Sequence, residues 1–408
     1  MLFILLLVAL VVWLIAMRAA YDYGRIGRLL LHPRTALAAT TKELPPLSII
    51  IPTHNQATAL RRHLPLILEQ DYDRFEVIVI DMNSTDETKD VLERLELQDA
   101  RLRHTSVPAS ARDISVERLA LTLGFRAALH DWVVITHPDC APVSQQWLLR
   151  FGETIVEPHR GMQNPQLKQP DMVLGIVRYD EQCNSWLDHK VSFYRLWNEI
   201  CHINHVLNGH AAIRAEGDNM AYRKSFFLEQ NAFASGQGLK AGAEELMVNQ
   251  TSTPENTAMM ITPSAMVIQE TIPSRHLWKQ HLVFYAETRR HQRNAGLFRV
   301  MQTMRLLAPW LVVMTMVVPW FVALAALFAE DAILSIGQAI LLLCLLTLLI
   351  ASYIALKLNS FHKTTKALRC RNDYLSLIIF ELQIPFWNLS AWLKRRFASR
   401  NEFRKKFV

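Results

Sequence analysis

Cysteine is scarce in this 408-residue chain and follows no pattern: Cys140, Cys183, Cys201, Cys344 and Cys370 are odd in number, and no two form a CxxC pair. A disulfide framework and a zinc ribbon are thereby disfavoured, and a reducing compartment fits. GxGxxG, P-loop and GxSxG motifs are also missing, which removes support for a Rossmann dinucleotide enzyme, a P-loop NTPase and an α/β-hydrolase. The net charge of +7 comes without a nucleic-acid recognition motif, so no nucleic-acid partner is expected. Much of the excess lies after residue 357 beside apolar segments, where basic residues attract anionic lipid and mark the cytoplasmic side of a membrane.

Charge is absent altogether from residues 1–17, a run of Leu, Val, Ile, Ala, Phe and Trp long enough to cross a hydrocarbon core with little slack. A cleaved signal peptide, the rival reading, opens with a positive segment; here Arg18, Arg25 and Arg28 follow the apolar run, which favours an uncleaved anchor ending in the cytosol. Residues 306–329 and 332–356 are two further apolar runs separated only by Glu330 and Asp331, and so close a spacing requires a helical hairpin. Lys357, His362, Lys363, Lys366, Arg369 and Arg371 come next and place the hairpin's outer ends in the cytosol. Residues 374–393 are apolar but interrupted by Glu381 and Pro385. A fourth span there would export a basic tail, so an interfacial helix is the preferred reading. The expected layout is an anchor at 1–17, a linker at 18–44, a cytosolic domain at 45–300, the two spans, and a basic tail at 357–408.

From Pro45 the pattern changes. LSIIIP (47–52), FEVIVIDM (75–82) and WVVITHPD (132–139) read as buried strands, separated by amphipathic helical stretches at ATALRRHLPLILEQ, DETKDVLERLEL and ISVERLALTLGFRAAL. Such alternation predicts an α/β fold, a mostly parallel sheet covered by helices on both faces, with ligands at the carboxyl ends of the strands. The residues just after the strands are Thr53, His54 and Asn55; Asp81, Asn83, Ser84, Thr85 and Asp86; and His137 and Asp139. Carboxylates and small polar groups at three strand ends suit a nucleotide and a divalent cation that neutralises its diphosphate. Each of them taken singly is a weak signal, since an Asp after a strand is more often a turn or cap residue.

The blocks SIIIPTHNQ, FEVIVIDMNSTDET, LALTLGFRAALHDWVVITHPDCAP, GDNMAYRKSFF and GAEELMVNQ, in that order, resemble those of the family 2 glycosyltransferases over about residues 45–295. The resemblance implies a GT-A type nucleotide-binding αβα sandwich, a nucleotide-diphosphate sugar donor with Mn2+ or Mg2+, and inversion of the anomeric carbon in one displacement. It also assigns residues. Pro52, His54 and Asn55 match the first-strand motif that lines the nucleobase pocket, Asp81 the nucleoside contact, and Asp139 the second, cation-binding aspartate of the DxD motif. Asn219 falls in the block near acceptor and donor sugar, while ETRRH (287–291), with Arg289 and Arg290, resembles the QxxRW block that contacts diphosphate or acceptor. Guanidinium forks suit phosphate oxygens on chemical grounds alone.

Three positions depart from the family pattern. His137 stands where DxD has its first aspartate, and an imidazole ligand favours Mn2+ over Mg2+. Met82 replaces the second acid of the second-strand motif, which leaves Asn83 or another group to read the base. For the general base, Glu244 is the first choice and Glu245 the second, both preceding Leu246; a helix start, where negative charge is favourable, is the bland alternative. Cys201, His202, His205 and His210 lack the carboxylate-and-histidine set of a closed zinc site. The expected function is inverting transfer of a sugar to a lipid-linked or polysaccharide acceptor at the cytosolic face of a bacterial-type inner membrane, with membrane lipid as a further partner. The alternative is a catalytically silent GT-A-like scaffold of an envelope or polysaccharide assembly complex.

Overall fold

The computed structural model describes residues 2–31, 43–108, 116–158, 167, 169–180, 185–215, 217–230, 239, 242–328, 335–370 and 374–403. Cys183, the expected Glu330–Asp331 turn, Arg371 and the last residues of the basic tail lie outside these. Two compact units make up the chain: residues 1–33 with 296–387, and residues 34–295 with 388–408. Helices and strands are numbered in chain order.

The first unit is helical. Helix α1 (Leu2–Tyr23) is followed by α2 (Arg25–Leu31), and a π-turn at Val313–Val317 joins α11 (Gly296–Val312) to α12 (Val318–Ala326). The unit also holds α13 (Ile336–Ala367) and the first part of α14 (Tyr374–Phe397). The π-turn precedes Pro319, whose ring cannot sit in a regular α-helical ladder. Among the described residues three helices are long and apolar enough to cross a membrane: Leu6–Tyr23, Gly296–Ala326 and Ile336–Ala367. Ala9, Ala16, Ala308 and Ala323 lie inside while Ile4, Leu7, Leu14, Phe321 and Leu348 point outward. This is the reverse of a water-soluble bundle and suits a lipid surround, where small residues let backbones approach. At Gly27 an added Cβ would lie 2.5 Å from the Lys363 backbone, so glycine is what lets α2 approach α13.

The stretch expected as a linker is thus helical as far as Leu31. In α14, Leu377, Phe380, Glu381 and Ile384 are buried. Glu381, which interrupts the apolar run in the sequence, is the partner of an ion pair with buried Lys357 and accepts a hydrogen bond from Tyr23 Oη at 2.7 Å. Asp22 and Arg305 form a second buried pair at 3.0 Å. Removing one member of such a pair strands the other charge, at a cost of about 3–5 kcal/mol. Glu381→Leu should therefore lower the thermal unfolding midpoint of the detergent-solubilised protein clearly, and Glu381→Leu with Lys357→Met should recover most of the loss.

The second unit is built on a seven-stranded sheet in the order β3-β2-β1-β4-β8-β6-β9. Its strands are β1 (Leu47–Thr53), β2 (Phe75–Asp81), β3 (Leu102–Ser106), β4 (Trp132–Ile135), β6 (Met172–Gly175), β8 (Met220–Arg223) and β9 (Thr257–Met260). β5 (Cys140–Pro142), β7 (Val177–Tyr179) and β10 (Val267–Gln269) form a second sheet, ordered β5-β10-β7. The mostly parallel sheet expected from the sequence is present, with β8 antiparallel to both β4 and β6. Every residue of β1 and β2 is buried, which explains why they read as unbroken apolar runs. Ile49, Ile51, Val77 and Val79 share a core with α3 (Ala57–Leu68) and α4 (Thr88–Gln98). Ile50 and Ile80 press on Gly124 of α5 (Val116–Ala127) across the other face. α6 (Trp147–Val156), α7 (Trp186–Leu207), α8 (Lys224–Glu229), α9 (Ala243–Thr251), α10 (Arg275–His291) and α15 (Arg400–Phe403) complete the unit.

Candidate active site

The carboxyl ends of β2, β1 and β4 lie side by side, with Thr53 paired to Asp81 and Ile50 to Ile135. Pro52 sits in β1 beyond its last pairing with β4, where the missing N–H is tolerated. The loops after β1 and β2 are stitched together: Asn55 N–H donates to Ser84 Oγ at 2.8 Å, Thr85 N–H to Asn55 Oδ1 at 2.7 Å, and His54 Nδ1 lies 3.0 Å from Met82 O. Asn55 and Asn83 have φ of 53° and 60°, a left-handed conformation that asparagine tolerates best after glycine. Asp81 accepts from the Ser84 N–H at 3.2 Å and the Ser84 hydroxyl at 2.5 Å, so its carboxylate shapes the turn between the two loops.

β4 and β8 set the next layer. Their antiparallel register pairs Ile135 with Met220, and continuing it two residues puts His137 opposite Asp218. The ring Nδ1 lies 2.5 Å from Asp218 Oδ1, and Nε2 lies 3.9 Å from Glu117 Oε1 on α5. Although burial alone would oppose the charge, Asp218, Glu117 and Glu244 together hold the imidazole pKa well above its ordinary value. Asp218 in turn is held below the usual carboxylate range; burial opposes this, but His137 and Arg195 outweigh it. Arg195 of α7 lies 3.4 Å from Asp218 and donates to Gln269 Oε1 at 2.6 Å, and Gln269 donates to Asp139 Oδ2 at 3.0 Å. His137 and Asp139, expected as neighbouring ligands, are therefore linked indirectly, through Asp218, Arg195 and Gln269.

Glu244 and Glu245 open α9, where Gly242 at φ 79° turns the chain into the helix. Both line a cavity of about 200 Å³ together with Asp218, His281, Tyr285 and Thr288. A Cβ on Gly217 would fall 2.0 Å from the Glu244 carboxylate, so glycine there makes room for it. Glu245 is buried, accepts from Gln292 Nε2 at 3.2 Å and lies 4.0 Å from Arg214. A smaller adjoining cavity of about 50 Å³ is lined by Arg195, Arg214, Arg289, Glu245 and Tyr285 among others.

Two of the expected ligand contacts, Asn219 and Arg290, line neither cavity. Asn219 is fully buried: its amide donates to Ile176 O and Ala265 O and accepts from Trp147 Nε1, each at 3.0 Å. It braces the floor beneath Asp218. Arg290 lines neither cavity; it is exposed and pairs with Glu287 at 3.6 Å, because consecutive helical residues point about 100° apart and only Arg289 faces inward.

Residues 48–223 match the family model described as glycosyl transferase family 2. That stretch is similar to a family 2 glycosyltransferase domain. A curated relative, the GalNAc(5)-diNAcBac-PP-undecaprenol beta-1,3-glucosyltransferase of Campylobacter jejuni, is 39% identical over 61 residues, which are 15% of this chain and 20% of that protein. The chain thus spans about a fifth of that relative's length in the match. Among solved structures it is similar to the mannosyltransferase PcManGT of Pyrobaculum calidifontis, in complex with GDP-Man and Mn2+, at a TM-score of 0.54 and 20% identity over 96% of this chain and 99% of that one. That likeness shows the GT-A fold. S. aureus TarS 1–349 in complex with UDP-GlcNAc is more remote, at a TM-score of 0.40 and 13% identity over 85% and 89% of the two chains.

Glu117, His137 and Glu244 place ligand atoms within 4.8 Å of one another. An imidazole with two carboxylates fits a divalent transition ion better than Mg2+, and binding would release the imidazolium proton. Sequence reasoning missed Glu117, Asp218, Arg195 and Arg214. Asp218 carried a signal, being inside the GDN block beside Asn219; Glu117 carried none, since only the packing of α5 brings it to His137. Trp147→Phe should leave the buried Asn219 oxygen without its indole donor and lower unfolding free energy by about 1–3 kcal/mol, measured by chemical denaturation.

Proposed function

We propose that the protein is an inverting glycosyltransferase that moves a sugar from a nucleotide-diphosphate donor to a lipid-linked or polysaccharide acceptor at a membrane. The observation that carries this reading is the convergence of Glu244 and Asp218 on one cavity, with His137 beside both, at the strand ends of a domain similar to family 2. Pro52, His54, Asn55, Asp81 and Asn83 form the rim where the nucleoside would rest, at the carboxyl edge that open α/β sheets use for ligands. Glu244 is the base. It takes the proton of the acceptor hydroxyl as that oxygen forms its bond to the anomeric carbon, and the bond from that carbon to the diphosphate oxygen breaks on the opposite face. Glu117 and His137, with Asp139 behind them, would hold a divalent cation, Mn2+ before Mg2+. When bound it would neutralise the diphosphate and so ease its departure. The three apolar helices, and the basic residues after the last of them, support a multi-pass protein of a bacterial-type inner membrane with this domain in the cytosol.

One observation favours the silent-scaffold reading: the residue in the first DxD position is an imidazole tied to Asp218. Calorimetric titration of the solubilised protein with UDP and GDP, in Mn2+, Mg2+ or EDTA, separates the two. Cation-dependent saturable binding is expected, and absence of binding under every condition would leave the scaffold. Glu244→Gln should lower nucleoside diphosphate release from the donor about 100-fold or more while nucleotide binding in Mn2+ stays near wild type. Loss of that binding would instead make Glu244 a cation ligand and pass the base role to Glu245.

A further inference from the structure

The smaller cavity has a chemistry of its own. Arg195 from α7, Arg214 from the segment before β8 and Arg289 from the last turn of α10 reach it from three separate elements; Glu245 lines it as well, and Arg195 and Arg214 also pair with Asp218 at 3.4 Å and Glu199 at 3.8 Å, respectively. Two of the guanidiniums rest near tyrosine faces, Arg195 at 4.3 Å from the Tyr179 centroid and Arg214 at 5.7 Å from that of Tyr285. Stacking of this kind holds a guanidinium plane in place before a ligand arrives. A volume of about 50 Å³ holds a few water-sized groups, which is phosphate scale and too small for a sugar ring. No residue of the strand-end rim lines it, whereas Glu245, His281 and Tyr285 are shared with the larger cavity that contains Glu244. A group bound here therefore sits on the base's side of the site, away from the expected nucleoside.

We infer that this cavity binds a phosphate group of the acceptor, so that the acceptor is a phosphate- or diphosphate-linked molecule whose hydroxyl reaches Glu244 through the larger cavity. The inference rests on the transferase reading above, and names the acceptor class for that site. Tyr194 and Trp278, packed edge to face at 6.0 Å, supply an apolar wall for the portion beyond the phosphate.

The test is calorimetric titration of the full-length protein in detergent with farnesyl diphosphate, farnesol, inorganic pyrophosphate, and UDP or GDP with Mn2+. Farnesyl diphosphate should bind saturably and be displaced by pyrophosphate, farnesol should not bind, and Arg214→Gln should weaken farnesyl diphosphate about tenfold or more with nucleotide affinity unchanged. Arg289→Gln, at a half-buried helix end, should do the same and serves where Arg214→Gln disturbs folding. Equal binding of farnesol, or arginine variants that shift nucleotide affinity and spare farnesyl diphosphate, would overturn the inference; the second result would assign the cavity to the donor's diphosphate. Nucleotide binding without farnesyl diphosphate binding would sink this inference alone. Arginine-dependent farnesyl diphosphate binding without nucleotide binding would keep the phosphate site and remove the transferase reading.

Discussion

The antiparallel pairing of β8 with β4 is the constraint on which the site depends. β1, β2 and β4 run in parallel and bring only their carboxyl ends to the ligand edge. Because β8 runs the other way, it brings the residues before it, Gly217, Asp218 and Asn219, to the same edge. One register therefore sets an imidazole against a carboxylate, and a slip of one residue would turn Asp218 to the opposite face.

Around that pair the charges alternate. Glu117 and Glu244 flank His137, Asp218 joins it to Arg195, and Gln269 carries the connection to Asp139. In a partly dehydrated edge such alternation keeps each ion compensated, and it fixes dipoles in place before any ligand enters. The floor is equally constrained: Asn219 engages Trp147, Ile176 and Ala265, and Gly175 beneath it has no room for a Cβ, which would fall 2.3 Å from the Asn219 amide. Asp218 is thus held from below by packing and from the side by charge.

The helical unit shows the same economy with polar groups. Its outward face is large and apolar, and its buried ions occur as the pairs Lys357–Glu381 and Asp22–Arg305. In the second unit the tail after α14's midpoint returns to α10: Arg395 donates to Glu287 at 2.7 Å, and Phe403 meets Phe284 edge to face. α10 carries Arg289 as well, so the tail helps hold the helix from which one cation of the small cavity comes.

The apolar spans, the strand–helix alternation and the strand-end positions His54, Asp81, His137 and Asp139 were legible in the sequence, because hydrophobic period and length depend on local order alone. The glutamates at 244 and 245 were legible as a pair, but not which of them faces His137, since that depends on the angle at which α9 leaves Gly242. Asn219 and Arg290 were read as ligand contacts, and the structure sets them outside both cavities because burial and helical phase decide what a polar side chain touches. Glu381 looked like an interruption and is an ion-pair partner for the same reason. Sequence by itself determined the class of fold, the helices apolar enough to cross a membrane and the strand-end edge. Tertiary structure alone decided that Glu117, Asp218, Arg195 and Arg214 belong to the site, because distances between residues far apart in the chain are set by sheet register and helix packing.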